Sequence, residues 1–116
     1  MKKTVMLKKN YEFKKVLSKG KYYSGQFIEA LILSNTKRKN GLGIAINTKL
    51  GCAVKRNHLK RLIRESFYLF EEKIIDGQEI VFLWKKKQQI ENATFQNIFE
   101  DMKNILDKAK ILNKEN

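Results

Sequence analysis

Three arginines stand close together near the middle of this 116-residue chain. Arg56, Arg61 and Arg64 fall within nine positions, although the chain has only four arginines in all, against 21 lysines. Arginine carries a planar guanidinium that can hold two phosphate oxygens at once, whereas lysine acts as a point charge. Because lysine supplies positive charge almost everywhere else, arginine at these positions indicates contact with phosphates in a fixed geometry.

The positive charge is concentrated in the first half of the chain. Residues 1–64 contain 17 lysines and arginines and two acids, a net charge of +15, whereas residues 65–116 have a net charge of −2. Between residues 30 and 64 there are nine basic residues and no acid. Such a surface favours a polyanionic partner. The alternative is a solvated basic face in a lysine-rich genome, which does not explain why acids are missing from one half only.

The arginines are predicted to lie on a helix that follows Gly51. Apolar residues recur at helical spacing and predict one buried stripe, made of Leu59, Leu62, Ile63, Phe67, Phe70 and Ile74. At about 100° per residue, polar residues fall on another side: Asn57, Lys60, Arg61, Arg64 and Tyr68. Arg56 stands at the helix start, where unpaired backbone N–H groups also attract anions. We therefore expect a phosphate-binding turn at this N-terminus.

The remaining pattern predicts one α+β domain over residues 1–116. A short helix is expected from a cap at Asn10, with Gly20 as a left-handed stop. Strands are predicted at 26–33, 42–47 and 78–84, the first two as an antiparallel hairpin and the third inside the sheet. A last helix follows a cap at Asn92 or Thr94, and a short extra strand is placed at 52–54. The order α-β-β-(β)-α-β-α predicts a small two-layer sandwich.

One face of the second predicted strand has unusually small side chains. Gly43, Ala45 and Asn47 alternate there with larger apolar residues. Either the first helix packs on this face, or a ligand binds in a groove there, or the two share it.

The sequence offers little for catalysis or for a metal site. Cys52 is the single cysteine and His58 the single histidine, so neither a disulfide nor a zinc site can form within one chain. Adjacent acids lack a setting that would separate their pKa values, and no phosphate-cradling glycine loop is present. The early apolar run is too short for a signal peptide or a membrane span. We expect a cytoplasmic binding protein with no catalytic residues of its own.

Several stretches of the sequence resemble a known protein family. The stretch GCAVKRNHLKRLIRESF closely resembles the signature region of the bacterial ribonuclease P protein component, in which an Arg-Asn pair precedes a Lys-Arg pair and another arginine. NYEFKKVLSKG, a QF-bearing strand and GLGIAINTK occur in the family's order, and the similarity covers nearly the whole chain.

The resemblance implies a fold, a function and partners. The fold would contain a left-handed βαβ crossover, as in the fold class named after domain 2 of ribosomal protein S5. The protein would bind the catalytic RNA subunit of ribonuclease P and the 5′ leader of precursor tRNA. The complex would act as an endonuclease that removes the leader, with Mg²⁺ bound mainly by the RNA, which carries the reaction.

The resemblance also assigns roles to individual residues. Contacts with the catalytic RNA would come from Lys49, Arg56, Asn57, His58, Lys60, Arg61 and Arg64. The leader groove would be formed by Phe13, Leu17 and Ala30. The chain departs from the family where His58 replaces the usual arginine, and where Leu17 and Ala30 stand in place of aromatic residues. Tyr22, Tyr23 or Phe27 could supply the missing aromatic ring.

Another kind of RNA-binding protein is the main alternative. A ribosomal or other structural RNA-binding protein could have the same charge pattern and no role in tRNA maturation. A reader of duplex DNA fits less well, because no helix-turn-helix pair precedes the basic helix.

Overall fold

The structure, a computed structural model, describes residues 4–36 and 39–113. Arg38 and the first three residues lie outside these ranges. Within them the chain forms strands β1 (Thr4–Met6), β2 (Lys21–Ser24), β3 (Ile28–Ser34), β4 (Asn40–Ala45) and β5 (Gln78–Trp84). The helices are α1 (Asn10–Lys19), α2 (Ala53–Phe70) and α3 (Phe95–Ala109), with short 3-10 turns at Glu71–Lys73 and Ile90–Asn92.

The five described strands form one mixed sheet in the order β1-β4-β5-β3-β2. β5 is central, parallel to β4 and antiparallel to β3. The predicted antiparallel hairpin between the strands at 26–33 and 42–47 is therefore wrong. These strands correspond to β3 and β4, and β5 lies between them. A strand that is apolar on both faces gains most from a central position, where both faces are covered. β4, α2 and β5 form a βαβ crossover, and the predicted α+β class is confirmed.

Residue alternation divides the sheet into two faces with different helices. Ile28, Ala30 and Ile32 of β3 point toward α2 and α3, in the main core. Leu31 and Leu33 point the other way, into a smaller cluster with Val16 of α1. The sheet with α2 and α3 forms the predicted two layers, and α1 covers part of the opposite face.

The helix ends differ in part from the sequence-based predictions. Of the two predicted caps of α3, Thr94 is the one that acts, because its Oγ1 accepts a hydrogen bond from Asn97 N at 3.2 Å. Asn10 is the first residue of α1 and not its cap; the carboxylate of Glu12 instead accepts hydrogen bonds from the N–H groups of Lys8 and Lys9, at 3.2 and 3.0 Å.

Two further predictions are wrong, one about a helix end and one about a strand. Gly20 is extended, with φ of −72°, and is required for another reason: a Cβ there would lie 2.5 Å from the carbonyl oxygen of Val16. The extra strand at 52–54 does not exist, because Cys52 is already the residue that precedes α2. The short strands β1 and β2 were not predicted.

A buried carboxylate fixes the turn between β2 and β3. Asp101 of α3 is 6% exposed and accepts hydrogen bonds from three consecutive backbone N–H groups, those of Gln26, Phe27 and Ile28. The bonds from Gln26 and Ile28 are both 2.9 Å long. Hydrogen bonds to a charged acceptor are stronger than neutral ones. Asp101 therefore ties α3 to the edge of the sheet that carries β2.

Candidate nucleic-acid interface

The basic side of α2 is separate from its buried side. Leu59, Leu62, Ile63 and Phe67 are buried against the sheet and α3. The polar residues of the predicted site lie at the surface: Asn57, His58, Arg61 and Arg64 are exposed, and Arg56 and Lys60 are half-buried. The predicted separation of a core stripe from a cationic row is confirmed, so the row can meet a partner without unpacking the core.

The three arginines of this row have different contacts. Arg56 donates from Nη1 to the carbonyl oxygen of Gly51 at 2.8 Å, which fixes its guanidinium beside the first turn of the helix. Arg61 Nε lies 3.0 Å from Glu65 Oε1 in a surface ion pair. Arg64 has neither a hydrogen bond nor an ion pair among the described residues. Exposed pairs four residues apart on a helix contribute only about 0.3–0.5 kcal/mol, so a phosphate can readily replace Glu65.

The first turn of α2 is also suited to an anion. It contains no acidic residue, and it follows Gly51, whose φ of +60° lets the chain turn into the helix. The exposed Cys52 precedes the helix, and the backbone N–H of Lys55 lowers the pKa of its thiol. Lys55 itself pairs with Glu91 at 3.0 Å. The unpaired backbone N–H groups of this first turn favour an anion.

The cationic surface continues to the neighbouring edge of the sheet. Lys49 follows β4 and lines a shallow pocket with Asn47, Leu50, Trp84 and Lys86. Lys86 belongs to the Lys85–Lys87 run that follows β5, which was not predicted to be part of the site. Because β4 and β5 are parallel neighbours, the residues that follow them meet at one edge. The sequence pattern did not predict this parallel pairing, and so it did not place Lys86 beside Lys49.

A partly open apolar surface lies beside α1. Phe13 packs directly on Gly43 of β4, where a Cβ would lie 2.7 Å from the ring. Leu17 is 39% exposed, and Leu31, Ala45 and Leu83 of the sheet remain half-buried next to the helix. The small-residue face is thus covered in part by α1 and open beyond it.

The structure does not bring Ala30 into this groove. Ala30 is fully buried on the opposite face of the sheet, and its neighbours across the strands are Tyr23 and Phe82. The assignment followed the family's motif, but the alternation of β3 places Leu31, and not Ala30, on the side of α1. Phe13 and Leu17 therefore share the groove without Ala30.

Of the three candidate replacement rings, only Tyr22 is on the groove side. Tyr23 packs against the main core, and Phe27 stacks on Trp84 with ring centroids 6.2 Å apart. Tyr22 is 54% exposed and pairs across the strands with Leu31. Its hydroxyl donates a hydrogen bond to the carboxylate of Glu29, which raises the pKa of Tyr22 above its ordinary value.

Within residues 4–36 and 39–113, no group of three or more histidine, cysteine or carboxylate side chains is placed to hold a metal ion. The described surface thus combines a cationic row with an apolar groove. It has the means to bind an anion and an extended chain.

The family comparison agrees with this surface. The family model described as Ribonuclease P matches residues 1–110. The chain belongs to the ribonuclease P protein family. The resemblance seen in the sequence is therefore confirmed.

Individual relatives support the assignment to the ribonuclease P family. The ribonuclease P protein component of Thermoanaerobacter sp. (strain X514) is 36% identical over 109 residues, which cover 94% of this chain and 92% of the relative. The ribonuclease P protein component of Clostridioides difficile (strain 630) is 34% identical over 110 residues, which cover 94% of this chain and 95% of the relative.

Solved structures of ribonuclease P proteins share the fold. The Staphylococcus aureus RNase P protein superposes with a TM-score of 0.81 at 28% identity, over 93% of this chain and 97% of that one. The Thermotoga maritima RNase P protein gives a TM-score of 0.79 at 29% identity, over 90% and 96%. No helix in the described part of the chain combines the length and the apolar character needed to cross a membrane.

Proposed function

We propose that this chain is the protein subunit of ribonuclease P and that it binds two RNA segments on two different surfaces. The row on α2, with Lys49 beside it, contacts the catalytic RNA. The groove beside α1 holds the 5′ leader of precursor tRNA. The observation that carries the proposal is the exposed cationic row on the helix that bears the family's signature motif. The complex acts in the cytoplasm, where its precursor tRNA substrate would be found.

The arginines serve affinity and orientation. A guanidinium gives two parallel hydrogen bonds to a phosphate, which fixes direction as well as charge. Arg56 is held by Gly51 near the helix N-terminus, where backbone N–H groups add to the anion's stabilisation. Folded RNA presents phosphates at fixed spacing, so a rigid helix with a fixed row of cations is a suitable partner.

The groove serves a different kind of RNA. Leader sequences vary, so a general leader site must bind without depending on every base. Phosphate contacts supply such affinity, and Lys86, which follows β5, lies near the C-terminal ends of β4 and β5. The apolar side chains beside α1 can contact bases of any sequence.

The reaction itself is assigned to the RNA. Mg²⁺ held mainly by the RNA would activate water for hydrolysis of the phosphodiester bond before the mature tRNA. The protein contributes by holding the precursor against the catalytic RNA, so that less Mg²⁺ is needed to offset phosphate repulsion.

A reconstitution assay tests this proposal. The protein is mixed with ribonuclease P RNA and precursor tRNA at a low Mg²⁺ concentration at which the RNA alone is nearly inactive. We expect leader removal to be restored. If the protein binds the RNA but cleavage stays at the level of RNA alone, the proposal is wrong and a structural RNA-binding role is favoured. A protein of equal charge from the ribosome serves as the control for nonspecific effects.

A further inference from the structure

One carboxylate lies on the side of the sheet where the leader is proposed to bind. Residues 1–64 contain only two acids, Glu12 and Glu29. Glu12 has a structural role, because it accepts the N–H groups that precede α1. Glu29 has no such role and no cationic partner among the described residues. A negative charge at this place opposes phosphate binding, so a nonspecific RNA groove gives no reason for it.

The position of Glu29 is defined by its neighbours in the sheet. Glu29 pairs with Ser24 of β2, and Tyr22 pairs with Leu31. The two side chains are therefore diagonal neighbours on the face that carries α1. The Tyr22 hydroxyl donates to Oε2 of Glu29, which leaves Oε1 and further lone pairs as acceptors. The tyrosine ring is thus anchored at one edge while more than half of the residue's surface faces solvent.

A ring and a carboxylate side by side match the chemistry of a nucleobase. Unpaired RNA bases stack on aromatic rings and are recognised through their Watson–Crick edges. A carboxylate only accepts hydrogen bonds, so it selects an edge that donates. Guanine offers two adjacent donors there, N1–H and the N2 amino group. Adenine and cytosine place an acceptor beside their amino group, and uracil places a carbonyl on either side of its single N–H.

We propose that Tyr22 and Glu29 form a subsite for one leader base and that this subsite selects guanine. Tyr22 stacks on the base, and Glu29 accepts from N1–H and N2–H. The inference rests on the proposed leader groove but goes beyond it, since it assigns base preference to a surface otherwise suited to any sequence. It also assigns the stacking ring to Tyr22 on β2 rather than to position 17 or 30.

The test compares guanine with inosine, which lacks only the N2 amino group. The test uses a series of precursor tRNAs whose leaders are all uridine except for a single guanosine or inosine. That one nucleotide stands at a different leader position in each substrate. The Kd of the reconstituted complex is measured for each substrate and for tRNA without a leader. At one position we expect guanosine to bind about fivefold or more tighter than inosine, the lower range for one well-placed pair of base contacts.

Three protein variants connect this preference to the two residues. Glu29→Gln keeps the shape but places an N–H₂ opposite a donor, so the ratio between inosine and guanosine should fall below about twofold. Glu100→Gln, on the exposed side of α3, is the matched control and should keep the wild-type ratio. Tyr22→Ala should weaken both substrates about fivefold or more, because the stacking surface is lost.

The outcomes separate this inference from the proposed function. If the complex binds leader-bearing and leaderless tRNA equally well, the proposed leader groove is wrong. If the leader tightens binding but no position prefers guanosine, or if Glu29→Gln keeps the preference, only the guanine subsite is wrong. Thermal melting of each variant confirms that it is folded, and the inosine substitution itself needs no protein variant.

Discussion

The two faces of the sheet carry surfaces of opposite character. On α2, the exposed groups are long cationic side chains that project from one helix, and the core beneath them is large. Beside α1, the groove presents the apolar side chain of Leu17 and the anchored ring of Tyr22, from different elements, over a small cluster. The first surface depends on residue type and helical period alone. The second depends on how three separate segments are brought together, and it is therefore more sensitive to changes in packing.

The largest effect is expected on the α2 side. Replacing Arg61 and Arg64 by alanine should weaken binding of the catalytic RNA by about 100-fold, since each charge-assisted contact is worth roughly tenfold or more. Removal of both should lower the salt slope of log K by about two. Binding is measured by filter retention over a range of salt concentrations. Neither side chain supports the core, so the melting temperature should change little.

The control for this prediction removes two exposed lysines near the C-terminal end of α2, where both line one pocket with Phe70. Lys73→Ala with Lys103→Ala changes the net charge equally. If the control variant loses as much affinity as the arginine variant, total charge and not the row on α2 governs binding.

A smaller effect is expected from the buried anchor of the β2–β3 turn. Asp101→Asn replaces a carboxylate that accepts three backbone N–H groups and should lower the free energy of unfolding by about 2 kcal/mol. Urea denaturation measures this loss. Because β2 carries Tyr22, leader affinity should decline while affinity for the catalytic RNA is retained. Equal loss of both affinities would show that the two surfaces are not independent.

A gain of affinity is expected from a ring on α1. Leu17 is partly exposed beside the groove, so Leu17→Phe adds a stacking surface without entering the core. Leader-bearing precursor should bind about fivefold tighter, near the lower limit for stacking on one base. Leaderless tRNA provides the reference, and an equal gain for both RNAs would contradict a leader contact.

The smallest effect concerns the thiol at the start of α2. Because the backbone N–H of Lys55 lowers the pKa of Cys52, more thiolate is present at neutral pH than in an unstructured peptide. Alkylation by iodoacetamide should therefore reach its half-maximal rate at lower pH than in the unfolded chain. Bound catalytic RNA should slow the reaction, whereas a leader oligonucleotide should not. Protection of Cys52 by the leader oligonucleotide would contradict this prediction, because the leader would then also contact the start of α2.

The difference between the two surfaces also explains what the sequence could predict. Helical spacing was enough to place the stripe from Leu59 to Phe70 and the row opposite it, because both lie on one continuous element. Ile74, which the same spacing included, is buried but lies beyond the end of α2. The cap at Thr94 was likewise local. The central position of β5 depends on contacts between distant segments, and the hairpin prediction failed for that reason. Ala30 was misplaced because the family's motif does not state which face of β3 a residue occupies.

The central position of β5 also determines when the protein can form. Before residue 78 leaves the ribosome, the sheet consists of two separate pairs, β1 with β4 and β2 with β3. A two-stranded piece is at best marginally stable in water. Strand β5 joins the pairs through both of its edges. The basic half of the chain thus stays open during synthesis until β5 (Gln78–Trp84) has emerged, and a nascent chain that stops before Gln78 has no intact sheet.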